Sequence, residues 1–108
     1  MQRFAFVVDV LPEKKDEYLA LHAAVWPDVE SALSKHHVTN YSIFLIEDTL
    51  FGYYEYTGQD YEGDMASIDA DPVTQRWLSH TDPCQVPFGR EAAAGDKWRQ
   101  LKEIWHLP

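Results

Sequence analysis

Two apolar segments of the chain, residues 40–46 and 50–56, are separated by only the three residues Glu47–Thr49. Both segments are rich in the aromatic and β-branched residues that favour strands, and so short a polar connection is typical of a β-hairpin. Residues 3–10 form a further short apolar run, which predicts a buried strand. The sequence therefore predicts three strands, two of which pair directly through a tight loop.

The segment between the first two strands has helical periodicity. Its apolar side chains recur every four residues, which predicts a helix that runs to about Lys35. The members of this stripe are Leu21, Val25, Val29 and Leu33. Pro27 lacks a backbone N–H and disfavours helical geometry at Trp26, so we expect the helix to break between these two residues. His36–Thr39 are then expected to form a turn.

The remainder of the chain combines helical segments with an irregular region. Residues 59–80 have a broken helical pattern, in which Asp71 followed by Pro72 is typical of a new helix start. Residues 83–98 contain two prolines and two glycines and predict a long, poorly structured excursion. Residues 101–107 are predicted to form the last strand.

The order strand, helix, strand, strand, helices, strand is that of a split βαβ unit. We therefore predict an α+β, ferredoxin-like fold for one domain spanning residues 1–108, with an antiparallel sheet covered by helices on one face. Side chains alternate between the faces of a strand. Tyr41, Ile43 and Leu45 are expected on one face, and Asn40, Ser42, Phe44 and Ile46 on the other. Because neither set is polar, a ligand pocket or a second subunit must cover the remaining face, and a homodimer is expected.

Composition excludes several classes of partner. The formal net charge is −9, which argues against binding to nucleic acid or to an anionic membrane surface. No stretch approaches the roughly 20 apolar residues that a membrane span requires. Asp9 follows the first apolar residues too early for a signal-peptide core. Cys84 is the only cysteine, so no intramolecular disulfide is possible and a cytoplasmic location is expected.

Tyr18, His22 and Trp26 are the strongest candidates for a functional site. They are spaced at four-residue intervals, and residues with that spacing stack along one face of a helix. Histidine titrates near neutrality and suits general acid–base catalysis, while the tyrosine and tryptophan offer a hydroxyl and an apolar wall. The alternative is a structural histidine packed between aromatic side chains.

Further aromatic residues have the character of a sugar-binding surface. Tyr41, the run Tyr53–Tyr56 and Trp77 offer apolar area with polar tips; ordinary strand composition and a buried core tryptophan are the alternatives. No metal site is expected, because the five histidines lack a familiar ligand spacing. No cofactor is expected either, since the chain has no glycine-rich phosphate loop, and Cys84 has no evident basic partner that would make it a nucleophile.

Several motifs together resemble the L-rhamnose mutarotase family. They are Arg3-x-Ala5-Phe6-Val7, Glu17-Tyr18-x3-His22-x3-Trp26-Pro27, Asn40-Tyr41-x-Ile43, Gln75-Arg76-Trp77 and the terminal Leu107-Pro108. The resemblance implies a dimeric α/β barrel that interconverts the α and β anomers of L-rhamnose without a cofactor. It also implies that His22 is the proton donor and that Tyr18, Tyr41 and Trp77 bind the sugar. Trp26, from its four-residue spacing to His22, is expected to add an aromatic wall.

The chain departs from the family pattern in two places. Leu78 occupies the position of a second tryptophan, and residues 84–98 match no family motif. The first departure leaves the choice of sugar open, with L-rhamnose first and L-fucose next. Two other functions remain as alternatives: a non-catalytic sugar-binding or regulatory module, and a monooxygenase-like enzyme of the dimeric α/β-barrel fold.

Overall fold

Nine helices and strands make up the part of the chain that the computed structural model describes, residues 1–90 and 97–108. In chain order they are β1 (Gln2–Val10), α1 (Lys15–Ala23), α2 (Pro27–Lys35), β2 (Val38–Ile46), β3 (Thr49–Tyr56), α3 (Tyr61–Ala70), α4 (Pro72–Thr81), β4 (Gln85–Val86) and β5 (Arg99–Leu101). Single 3-10 turns also occur, at Pro12–Lys14, Asp82–Cys84 and Phe88–Arg90. None of these helices is both long and apolar enough to cross a membrane.

All the strands pair antiparallel in one sheet. The order is β2-β3-β1, and the short strands β4 and β5 both pair with β1. In the central ladder Phe6 lies opposite Gly52 and Val8 lies opposite Leu50. Tyr18 of α1 packs with Val8 and Leu50, so the helical layer covers this face, which we call the inner face. The predicted α+β, ferredoxin-like arrangement is confirmed.

Both predicted helix breaks are present, and each has a local cause. Trp26 is extended, with φ −64° and ψ 131°, and Pro27 opens α2 at a position where its missing N–H costs nothing. Asp71 is likewise extended, and its carboxylate accepts a hydrogen bond of 2.9 Å from the backbone N–H of Thr74, which caps α4. Proline and a capping side chain therefore fix where α2 and α4 begin.

A β-bulge near the start of β2 sets which side chains face inward. Thr39 pairs with Glu55, but the next pair is Ser42 with Tyr53, so the register shifts between them. Asn40 lies in the bulge with a φ of 49° and sends its side chain to Glu55 on the outer face. Beyond the bulge, Tyr41, Ile43 and Leu45 share the inner face, as the sequence predicted.

Several predicted boundaries were wrong. Val38 and Thr39 were expected in a turn but belong to β2, and Thr49 was expected in the hairpin loop but begins β3. Their ladder hydrogen bonds extend each strand further than its apolar run. Residues 83–98 are not irregular throughout, because β4 pairs with Asp9 and Val10; residues 91–96 of that segment lie outside the described residues.

The predicted last strand, residues 101–107, was also wrong. Its pairing covers only Arg99–Leu101. Leu101 lies opposite Ala5, so position 104 would lie opposite Gln2, where β1 begins. β5 nevertheless ends three residues earlier, at Leu101, and the residues that follow, including Ile104 and Trp105, are exposed.

Candidate active site

Helix α1 places Tyr18 and His22 one turn apart. Their rings stack with centroids 4.3 Å apart, and the Tyr18 side chain is buried in the core beside Val8. Trp26 does not continue this helical face, because α1 ends at Ala23 and Trp26 lies in the extended link to α2. The prediction that all three side chains stack along one helix was therefore wrong for Trp26.

Trp77 of α4 joins Trp26 to the other two side chains. Its ring packs edge-on against His22 at 5.3 Å and against Trp26 at 5.2 Å, measured between ring centroids. Trp26 also contacts His80 at 5.6 Å. The tertiary fold thus assembles Tyr18, His22, Trp77 and Trp26 into one continuous aromatic row, although only the first two are held by a single helix.

Tyr41 reaches the same site from the sheet. Together with His22 and Trp77 it lines a cavity of about 440 Å³ between α2 and β2, a size within the range of small-molecule sites. Apolar side chains form much of the remaining wall; examples are Val25, Val29, Leu33 and Ile43. Glu30 is the carboxylate in this wall among the described residues.

A second, more open depression of about 500 Å³ lies between α2, α3 and α4 and includes Lys35, His36 and Asp71. It contains none of the side chains that the sequence predicts as functional, so we assign the site to the first cavity.

The tautomer of His22 follows from a local hydrogen bond. Its Nδ1 lies 3.0 Å from the backbone carbonyl oxygen of Tyr18. Because a carbonyl oxygen only accepts, Nδ1 carries the proton and donates it. Within residues 1–90 and 97–108 no side chain or backbone group bonds Nε2. Nε2 is therefore the nitrogen left to exchange a proton with a ligand in the cavity.

Two phenols near the site, Tyr41 and Tyr18, are held in their neutral form. Tyr41 lines the cavity, whereas Tyr18 is not among the lining residues and stacks on His22, which is. Burial raises the pKa of Tyr18 well above its ordinary value, and burial likewise raises the pKa of Tyr41. Tyr41 is 44% exposed when the whole residue is considered. Its hydroxyl end is the buried part, and the exposed area belongs to the rest of the residue. Neutral phenols present hydroxyl groups to a ligand without charge.

The run Tyr53–Tyr56 divides between the two faces of the sheet. Tyr54 lies inside, with its ring centroid 5.3 Å from that of Tyr41. Tyr53 lies outside and donates a hydrogen bond of 2.9 Å to Glu55. Tyr56 is fully buried and bonds Asp64 rather than the cavity. None of the four is among the residues that line the cavity; Tyr54 is connected to it only through its contact with Tyr41.

Two side chains near the site were missed by sequence reasoning. Trp98 covers Gly52, where an added Cβ would lie 3.4 Å from the indole and 3.9 Å from the Tyr41 ring. A glycine inside a strand often marks such a close approach, so Gly52 was the available signal. Gln85 of β4 lies with its Nε2 3.4 Å from the Tyr18 hydroxyl, and no sequence signal pointed to it.

Comparison with known proteins identifies the family of the chain. The family model of the L-rhamnose mutarotases matches residues 3–107. The chain belongs to the L-rhamnose mutarotase family. An L-rhamnose mutarotase of Oceanobacillus iheyensis is 38% identical to it over 109 residues, and the alignment covers 99% of each protein.

Solved structures show how widely the fold of this L-rhamnose mutarotase family member is shared. A crystal structure of an L-rhamnose mutarotase from Formosa agariphila superposes with a TM-score of 0.76 over 100% of both chains, at 22% identity. Tetracenomycin F2 cyclase from Streptomyces glaucescens superposes with a TM-score of 0.69 over 100% of both chains, at 16% identity. At such identities the likeness shows the fold alone, and the family match carries the assignment.

Proposed function

We propose that the protein interconverts the α and β anomers of L-rhamnose. The observation that carries this proposal is the position of His22, a group able to transfer protons in a cavity lined by Tyr41 and Trp77. The family match and the names of the relatives support L-rhamnose as the sugar. A cavity of about 440 Å³ admits one monosaccharide.

Mutarotation requires two simultaneous proton transfers. His22 in its imidazolium form donates the Nε2 proton to the ring oxygen, while a base removes the proton of the C1 hydroxyl. The bond between C1 and the ring oxygen then breaks, which gives the open aldehyde. After rotation about the C1–C2 bond, both transfers reverse and the ring closes on the other face of C1. Each transfer contributes roughly 10²- to 10⁴-fold in rate.

The remaining side chains bind and orient the sugar. Tyr18 and Tyr41 offer neutral hydroxyls to the sugar hydroxyls, and Trp77 and Trp26 form the apolar wall against the methyl group and ring hydrogens. The base must accept the C1 proton from across the ring. Glu30 supplies the carboxylate of the cavity wall, and a phenol or a bound water is the other route that the chemistry allows.

Anomer exchange measured by proton NMR tests the function. The α-anomeric signal of L-rhamnose is saturated, and transfer to the β signal is recorded with the protein and with His22→Ala. We expect fast transfer with the protein, and transfer slower by about 10²- to 10⁴-fold with the variant. His106→Gln, which alters an exposed histidine of the C-terminal segment, is the matched control. Binding of L-rhamnose without transfer would instead favour the non-catalytic module, and L-fucose run in parallel tests the preference for L-rhamnose.

We further propose that the protein is a homodimer joined through the outer face of its sheet. Phe44 and Ile46 are 63% and 62% exposed there, and Phe51 lies beside Phe44 in the ladder. The C-terminal segment adds Ile104, which is 91% exposed, and Trp105. So large an exposed apolar area is typical of an interface. A second copy of the chain is the partner that we propose for this face, because its sheet carries the same exposed apolar side chains and the two faces can pack against each other.

A further inference from the structure

Gln85 is the buried polar side chain that the mechanism above leaves unused. It lies in β4 opposite Val10, on the inner face of the sheet, and it is only 5% exposed. Its Nε2 lies 3.4 Å from the hydroxyl oxygen of Tyr18. Its Oε1 is buried without a hydrogen-bond partner among the residues that the structure describes.

An unpaired amide oxygen in the interior is unfavourable for folding. An apolar side chain of the same shape would avoid this cost, so the contribution of Gln85 must come from its other end. Within residues 1–90 and 97–108, that end makes one hydrogen bond, to the hydroxyl of Tyr18. With the amide oriented as in the structure, Nε2 donates to Tyr18 and Oε1 is the end that lacks a partner.

The contact with Gln85 restricts the proton of the Tyr18 hydroxyl. A phenol offers one donor and accepts through its lone pairs. Because Gln85 Nε2 donates to the oxygen, the hydroxyl proton must point away from Gln85. Tyr18 is connected to the cavity through His22, because the two rings stack with centroids 4.3 Å apart and His22 lines the cavity.

We propose that Gln85 is a positioning residue of the sugar site, which holds the Tyr18 hydroxyl so that its proton is donated to a hydroxyl of the bound sugar. The inference rests on the proposed role of Tyr18 in sugar binding. Gln85 acts through Tyr18: it is not among the residues that line the cavity, and its contact is with Tyr18, whose ring stacks on the lining residue His22. It sets the direction of a hydrogen bond that Tyr18 makes.

The test compares Gln85→Met with the unaltered protein in anomer exchange of L-rhamnose. Methionine is unbranched and of similar length, and it cannot donate to Tyr18. We expect KM to rise about fivefold to tenfold, the value of one hydrogen bond, while kcat changes less than twofold. The midpoint of thermal unfolding should stay the same or rise, because the unpaired Oε1 is removed. Gln59→Met, at an exposed position before α3, is the matched control and should change neither quantity.

A double-mutant cycle with Tyr18→Phe separates positioning from packing. In the Tyr18→Phe background, Gln85→Met should change KM by less than twofold, because the hydroxyl that it positions is absent. An unchanged KM in the single variant overturns the proposal, and so does an equal rise in both backgrounds. If Gln85→Met does not fold, Gln85→Glu replaces it. The carboxylate accepts from Tyr18 and reverses the bond, so a raised KM supports the proposal and an unchanged KM overturns it.

Failure of the proposed function gives a different result. Absence of exchange by the unaltered protein refutes the mutarotase activity. The four proteins of the double-mutant cycle are then compared by their dissociation constants for L-rhamnose, measured by NMR titration. The same pattern in binding supports the role of Gln85. Absence of both exchange and binding overturns both proposals.

Discussion

The side-chain amide of Asn40 donates a hydrogen bond of 2.7 Å to the carboxylate of Glu55 on the outer face of the hairpin. Asn40 and Thr39 lie on the same face, so the alternation of β2 shifts by one residue there. The shift turns Tyr41 towards the inner face and the cavity. A contact on the far side of the sheet therefore lies at the bulge that turns a proposed sugar-binding phenol inward.

Substitution of Asn40 tests this coupling. Asn40 has a φ of 49°, a left-handed conformation that asparagine and glycine tolerate and alanine does not. Asn40→Ala should lower the free energy of unfolding by about 1–2 kcal/mol and raise KM for L-rhamnose, because the bulge relaxes and Tyr41 moves. Asn40→Gly keeps the backbone conformation and should have the smaller effect on KM. Urea unfolding measures the free energy of unfolding, and anomer exchange measures KM. Equal KM values for the two variants would show that the bulge does not position Tyr41.

Trp77 is expected to support both stability and activity. It is buried and contacts His22 and Trp26. Trp77→Ala should lower the free energy of unfolding by roughly 3–5 kcal/mol, since it leaves a large cavity, and it should slow exchange because the imidazole loses its support. Trp77→Phe keeps an aromatic edge at the same place and should retain the fold, so it isolates the effect on exchange. If Trp77→Phe exchanges the anomers at the original rate and with unchanged KM, Trp77 has no specific role in sugar binding or catalysis.

The dimer proposal predicts that a charge on the outer face dissociates the protein. Phe44→Glu would bury a carboxylate in an apolar interface, and we expect sedimentation equilibrium to change from a dimer to a monomer. Leu19→Glu alters another exposed apolar residue, on α1 among the helices, and should leave the dimer intact. A monomeric mass for the unaltered protein would refute the outer face as the interface.

Asp64 is expected to contribute to the way the free energy of unfolding depends on pH in the acid range. Its carboxylate accepts hydrogen bonds from the hydroxyl of Tyr56 and from His37, which lower its pKa below the ordinary value, with a smaller effect from His36. A lowered pKa stabilises the folded state above the unfolded value of about 4, and this stabilisation is lost as the pH falls through the folded value.

The variant Asp64→Asn tests that contribution. It should be less stable at neutral pH, and its stability should fall less steeply below about pH 4, as measured by urea unfolding over a pH series. The same dependence on pH in both proteins would show that Asp64 does not contribute.

Local covalent properties made a large part of the fold predictable. Pro27 and Pro72 lack a backbone N–H, so the helices must begin there whatever surrounds them. The alternation that placed Tyr41, Ile43 and Leu45 together is likewise a property of any strand. For the same reason the pair Tyr18 and His22 was predictable, since four-residue spacing brings side chains together on any helix.

Features that depend on pairing between distant residues were decided only by the tertiary structure. β5 ends at Leu101, opposite Ala5 of β1, and no pattern within residues 101–107 reveals that limit. Trp26 meets His22 only through Trp77, from a helix about 50 residues away in the chain. Gln85 reaches Tyr18 because two residues of β4 pair with the end of β1. The sequence by itself determined the local conformations and one pair of site residues; the packing of the sheet against its helices determined the rest, because contacts between distant residues depend on the whole fold.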